Sequence, residues 1–275
     1  TEDVEGDFTV PADLTDLKLH ATDWSITSLG NVTVEGGLVV RDITLVGAIE
    51  VLEPARKLWL VDTVLEFGRF QGFEASYGDI TLERCLVSGS GPGMLVTGNA
   101  RLEMRWTKVT GMQWGISFDA TGSDRNHEVV ASLIYNCLFD GIRVSSSDVH
   151  LRQTTVVGNG RTALAGWNLA DNSVGVENSI LSGESWTTTV DLDGPLSYAG
   201  VVGSVIHGEV RGVKGIERFQ VGTVSRENPL LTADYYLEAE SPARGLGRSC
   251  GELLLDLDGN FFHNPPSAGC YEYVE

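Results

Sequence analysis

Two short stretches of the chain place polar groups where they could meet a ligand. Gly115-Ile-Ser-Phe-Asp119 and Gly141-Ile-Arg-Val-Ser145 carry the same apolar spacing. If Ile116 and Ile142 point inward on neighbouring strands, Ser117 and Arg143 stack outward, with Asp119 one outward position along. Arg143 beside Asp119, flanked by Trp114 and Trp167, would suit a sugar. Aromatic faces stack on pyranose C–H groups, and an ion pair hydrogen-bonds hydroxyls. The same residues would equally make an ordinary surface salt bridge among scattered tryptophans, so both meanings stay open.

Other titratable groups are less organised. Asp191-Leu-Asp193 puts two carboxylates on one strand face, as a paired acid and base require, although Asp193-Gly194 also reads as a turn. His150, between Val149 and Leu151, is expected to face outward on a strand, and His127 is placed in the loop 121–127. Either imidazole could act as a base near neutral pH, yet neither has a partner that the sequence maps. The insertion at about 112–130 is a natural place for binding residues, because loops leaving a rigid scaffold carry them. No catalytic residue is assigned, and whether the protein is an enzyme is left open.

The four cysteines divide into two pairs. Cys85 and Cys137 are expected at one ladder position two rungs apart, with Thr107 between them. At roughly 4.8 Å per rung their separation is about 9.6 Å, beyond the ~7 Å that a disulfide spans. Both are therefore expected as buried free thiols. Cys250 and Cys270 flank a loop near the end of the chain and are expected to form a disulfide, against the alternative of two unpaired thiols. Neither CxxC spacing nor a His pair accompanies them, so no metal site and no cofactor are expected.

The element that must position these groups is a repeat. An eight-residue phrase has apolar or small residues at its first, fourth and sixth positions and usually ends in Gly. Its copies begin at Val40, Leu60, Leu82, Met104, Ile134, Leu151, Val176 and Val201, spaced 20, 22, 22, 30, 17, 25 and 25 residues apart. Apolar residues two places ahead of the phrase, such as Leu58, Ile80 and Leu102, extend a half-buried strand upstream. Position three (Asp62, Arg84, Trp106, Asn136, Gln153, Asn178, Gly203) suits a sharp bend, because Asn and Gly tolerate left-handed backbone angles. Positions four and six should then point inward as stacked ladders.

The spacing matches one circuit of three short strands. It predicts an all-β fold: a single right-handed parallel β-helix solenoid of about 8–10 coils over residues 1–220, with an irregular C-terminal tail over 221–275 packing on or capping it. An antiparallel sandwich is the structural competitor, since Asp140-Gly141, Asn159-Gly160 and Asp193-Gly194 are hairpin-type dipeptides. Eight in-phase copies of one phrase favour stacking. Position five should face outward, yet Val64, Leu86, Leu138, Ile180 and Val205 are apolar. Either the tail or another molecule is expected to cover that sheet.

Thirty-eight acidic residues against 19 basic ones give a net charge of −19, which repels nucleic acid and anionic lipid. The same excess could attract Ca²⁺ or a cationic ligand, but no Asp-x-Asp-x-Asp-Gly loop occurs. No run of 18 apolar residues is present, so no transmembrane segment is expected, and the acidic start is read as that of a mature or trimmed product.

The phrase, best seen in Val176-Glu-Asn-Ser-Ile-Leu-Ser-Gly183, resembles the coil unit of bacterial secreted right-handed parallel β-helix repeat proteins of the pectate-lyase-like superfamily. The tail is similar to the closing segment of many extracellular members, through Glu227-Asn-Pro-Leu-Leu, Asp234-Tyr-Tyr-Leu, Ser241-Pro-Ala-Arg-Gly-Leu-Gly247, Asp256-Leu-Asp-Gly-Asn260 and Gly269-Cys-Tyr-Glu272. The resemblance implies the fold and a secreted or cell-surface location, bacterial extracellular or periplasmic. It does not select a chemistry, because the superfamily includes lyases, hydrolases, epimerases, tail spikes and adhesins. The expectation is a non-catalytic protein that binds a polysaccharide or a surface protein. A polysaccharide lyase, hydrolase or epimerase, and a component of a fibre or surface assembly, are the alternatives. Neutral glycans fit the acidic surface better than polyuronates do.

Overall fold

A computed structural model describes residues 4–5, 8–11, 17–20, 27–29, 31–119, 126–167, 169, 172–183, 188–193, 198–212, 219–249 and 255–274. Among them there is no helix, and the strands form three sheets of 11, 10 and 10 strands. Neighbours within a sheet lie three strands apart in sequence and run parallel, so the backbone visits sheets one, two and three in turn and climbs one rung per circuit. This is the parallel β-solenoid read from the repeat. Of the hairpin-type dipeptides, Asn159-Gly160 lies at a corner of that circuit, Asp140-Gly141 opens a strand of sheet two, and Gly194 lies outside the described residues.

Position three is the hinge of each coil, between sheets three and one. Asp42, Asp62, Arg84, Trp106, Ala131, Gln153, Asn178 and Gly203 all have positive φ, between 45° and 61°. One left-handed residue turns the strand sharply while its N–H still bonds to the next rung. Asp62 donates to Glu83 O (3.0 Å), Trp106 to Val130 O (3.1 Å) and Ala131 to Arg152 O (2.9 Å). Left-handed backbone costs a non-glycine residue about 1 kcal/mol, and the unbroken hydrogen-bond ladder offsets it. Just past the bend, position four supplies a second ladder of small side chains. Cys85 N–H donates to Thr107 Oγ1, Thr107 N–H to Ser132 Oγ, Thr154 N–H to Ser179 Oγ and Ser179 N–H to Ser204 Oγ, at 3.0–3.2 Å. Buried N–H groups that the corner would otherwise orphan are thereby satisfied.

The register corrects the repeat at one place. Met104 pairs with Val129 and Val129 with Leu151, so the fifth copy begins at Val129 and not at Ile134. Ser132 therefore occupies the ladder position expected for Cys137. Cys137 lies at the next corner, where its N–H donates to Asn159 Oδ1 at 2.9 Å. His127 moves from loop to strand Asn126–Val130. It is fully buried, its Nδ1 accepts a bond from Leu102 N–H (3.1 Å), and its ring packs on Phe118. An inward imidazole in the core is a packing residue, and only His150 stands exposed on its strand.

The coil interior is filled by in-register apolar columns. One runs through Leu45, Leu65, Val87, Val109, Ile134, Val156, Leu181 and Ile206, all buried. Each such side chain contributes about 1.5–3 kcal/mol.

Residues 226–249 and 255–274 lie along the outer face of sheet one. Ile180 and Val205 pack with Leu237, Ala243 and Ala268, and Leu133 packs with Cys270 and Tyr271. Hydrogen bonds fix the register of this contact: Trp106 Nε1 to Leu255 O (3.2 Å), Tyr235 Oη to Asn136 Oδ1 (2.9 Å), and a reciprocal pair between the Asn178 amide and the Arg248 backbone, both 2.7 Å. The apolar position-five residues at these coils are thus covered by the tail. Two buried carboxylates brace the tail from within. Asp256 accepts from the backbone of Asp258, Asn260 and Glu272, and Glu272 accepts from His263, Ser267 and Tyr273.

Of the expected Cys250–Cys270 pair, Cys250 lies outside the described residues, and Cys270 is a free thiol whose N–H donates to Thr155 Oγ1 (3.0 Å). Burial pushes the thiols of Cys85, Cys137 and Cys270 up to about 12. Maleimide treatment of the folded protein at pH 8 should leave these three unlabelled in peptide mass maps, whereas prior unfolding in guanidinium should label them. Gly203 tests the hinge, because a Cβ there would meet Asn178 Oδ1 and lie 2.9 Å from Arg248 N. Gly203→Ala should cost about 2 kcal/mol in denaturant unfolding, whereas Ala131→Gly should stay within about 1 kcal/mol of wild type.

Candidate ligand-binding site

The sugar-type set assembles on the outer face of sheet two. Strands Ile116–Asp119, Asp140–Ser145, Thr162–Trp167 and Thr188–Leu192 are consecutive rungs there. Ile116, Ile142 and Leu164 are stacked and buried, as are Phe118 and Val144, which anchors the strands in the core. Alternation then turns Ser117, Arg143, Ala165 and Asp191 outward in one column and Asp119, Ser145 and Trp167 in the next. Trp114 stands at the corner just before Ile116. Gly115 follows it because a Cβ would collide with Gly141 O and lie 2.7 Å from Ile134 Cγ2.

Arg143 is clasped between two indoles. Its guanidinium carbon lies 4.8 Å from the Trp114 ring centre and 4.6 Å from that of Trp167. Each contact is worth about 1 kcal/mol or more where water is partly excluded. The small residues Ser145 and Ala165 leave room for the stack, and Ser145 is buried beneath it.

The carboxylate that serves Arg143 is Asp140, not Asp119. Asp140 Oδ2 lies 3.6 Å from Arg143 Nε, with the Asp140 side chain only 4% exposed. Asp119 is exposed and sits in register with Ser145, which carries it past the guanidinium. At 3.6 Å the Arg143–Asp140 pair is an electrostatic contact and not a hydrogen bond. Three buried polar atoms in this neighbourhood have no hydrogen-bond partner among the described residues: Asp140 Oδ1, Arg143 Nε and Asn159 Nδ2. The Asn159 Nδ2 lies 2.6 Å from where a side chain at Gly141 would begin, which puts it against the Asp140–Gly141 corner. Buried orphans of both signs are costly.

Burial holds the Asp140 carboxyl above the ordinary carboxylate range. Arg161, a hydrogen bond from Thr162 and Arg143 pull it back only in part, and Asp191 pushes it further up. The neighbouring corner adds an apolar shoulder. Leu138 is 63% and Phe139 42% exposed, with Phe139 N–H bonded to Gln113 O beside Trp114. Asp191 lies outward on its strand, and Asp193 is exposed beyond the strand end. Among the described residues, no group of three His, Cys, Asp or Glu side chains is arranged to hold a metal ion.

Arg161 and Thr162 carry no signal in the sequence, and Asp140 and Asn159 are read there only as parts of turn-type dipeptides. Asp140-Gly141 reads as a turn, yet Asp140 stands two places ahead of the inward Ile142, a parity that points to burial. Comparison with family models, with curated proteins and with solved structures finds no match to this chain.

Because the folded state holds the Asp140 proton more tightly than the unfolded chain does, its stabilising share is present below the ordinary carboxylate value. That share is lost as pH rises through the raised one. Thermal melts from pH 3 to 8 should therefore show wild type losing stability relative to Asp140→Asn as pH increases. A constant difference would mean that Asp140 titrates as an exposed carboxyl.

Proposed function

We propose that this is an extracellular or cell-surface β-helix protein that binds a neutral glycan without cleaving it, through Trp114, Arg143 and Trp167, with Asp119 at the rim. The observation that carries this reading is the indole–guanidinium–indole stack beside the buried, unsatisfied polar atoms of Asp140, Arg143 and Asn159. A sugar suits this surface, because its C–H faces pack on indole and its hydroxyls accept from the partly exposed Arg143 guanidinium. The Arg143 Nε donates no hydrogen bond among the described residues.

One further feature favours binding over thiol chemistry: the three described thiols are far from nucleophilic, with values pushed up to about 12. Export and a place among pectate-lyase-like β-helix proteins are supported by the phrase at Val176 and by the closing motifs of the tail. The charge of −19 favours a neutral ligand over a polyuronate.

A glycan array run alongside a polysaccharide-degradation screen tests the proposal. Wild type should bind a neutral glycan, Trp167→Ala and Arg143→Ala should weaken binding about tenfold or more, and no polymer should be shortened. Cleavage of any polymer that Asp119→Ala or Arg143→Ala abolishes would replace this reading with an enzymatic one. Binding that survives both Trp167→Ala and Arg143→Ala would move the site elsewhere.

A further inference from the structure

The inward columns of the solenoid thin out over the rungs of residues 173–210. On sheet three, Leu58, Ile80 and Leu102 are followed higher in the same column by Val174 and Ala199, before Phe219 pairs with Ala199 on the last rung, and Leu60, Leu82 and Met104 are followed by Val176 and Val201. On sheet two, Phe73 and Met94 give way to Val190 and Val210. The backbone spacing between sheets is set by the same three-strand circuit throughout, so shorter side chains leave space at the axis. That space is a cavity of about 370 Å³, walled by Leu164, Val176, Val190, Ala199, Val201 and Ile206 among others. Among the described residues its lining is aliphatic except for Arg226, which is exposed at the point where the chain leaves the last rung of sheet one. Arg226 makes no ion pair among the described residues.

We infer that this lumen is a second ligand site, separate from the face of sheet two, that takes an aliphatic chain ending in a carboxylate. A void of this size falls in the range of ligand pockets, and an aliphatic wall stays dry, because water finds no hydrogen-bond partners there. Dispersion contacts forfeited by the thin columns are restored only by an apolar occupant. Arg226, the cation among the described lining residues, selects the head group, because a guanidinium pairs with a carboxylate in bidentate fashion. A chain lying along the axis would place methylenes against Val176, Val201 and Ile206 and its carboxylate at Arg226.

Calorimetric titration of the full chain with sodium dodecanoate, kept below its micellar concentration, tests the site, with dodecyltrimethylammonium as the head-group control. Dodecanoate should bind one-to-one and saturably. Arg226→Ala should weaken it about tenfold, and dodecyltrimethylammonium should bind at least that much more weakly. Ala199→Leu fills the lumen from sheet three and should abolish binding while keeping or raising the melting temperature. Should that variant fold poorly, Val190→Leu fills it from sheet two with the same expectation. Absence of saturable dodecanoate binding, binding undiminished by either filling variant, or equal affinity for the two head groups overturns the inference.

Discussion

Everything in this molecule depends on rung-to-rung register. A parallel solenoid has no hairpins to fix how one strand lies on the next, so alignment must come from features that recur once per circuit. Here that feature is the single left-handed residue at the third position of each phrase, from Asp42 to Gly203, which turns the chain without interrupting the hydrogen bonds between rungs. The Thr and Ser ladder immediately after it locks the same corner a second time, because each hydroxyl accepts from the rung beneath. A one-residue slip would break both ladders and turn every apolar column to solvent. Two other corners are free to vary in length because this one does not.

That division explains what was legible in the chain and what was not. The solenoid showed itself through repetition, and the outward placement of Ser117 and Arg143 followed from period-two alternation alone. The fifth copy was misplaced by five residues because Ile134-Tyr-Asn-Cys-Leu-Phe-Asp-Gly satisfies the same residue classes as the true copy, Val129-Val-Ala-Ser-Leu-Ile-Tyr-Asn, and ends in the expected Gly. Asn136 even adopts positive φ, at 53°. Local chemistry was ambiguous there, and only the pairing with Met104 and Leu151 resolves it. Correcting it shortens the preceding coil and carries His127 from a loop into the core.

The candidate site shows a similar limit. Trp114 and Trp167 could be associated with Arg143 because all three fall on neighbouring rungs. Asp140 could not, because its burial and its neighbours Arg161 and Asp191 come from three different coils. Clasping a guanidinium between two indoles fixes a flexible side chain in advance, so little rotamer entropy remains to be lost when something binds. The tail had a visible reason to exist in the apolar residues at position five. Its braces, Asp256 and Glu272, were seen only as parts of a motif, and their role as acceptors for successive backbone N–H groups needed the structure.

The tail also changes how the stack responds to force. Repeat arrays ordinarily peel one unit at a time, since each touches only its neighbours. Here residues 226–249 and 255–274 reach across from Trp106 and Asn136 to Asn178 and Val205, tying non-adjacent coils together like a splint. A load applied near Val4 meets the rungs singly, whereas one applied near Val274 must lift a contact shared by several coils at once. The molecule therefore has a mechanical direction, with a weak end and a strong end, although its sheets repeat the same pairing from bottom to top.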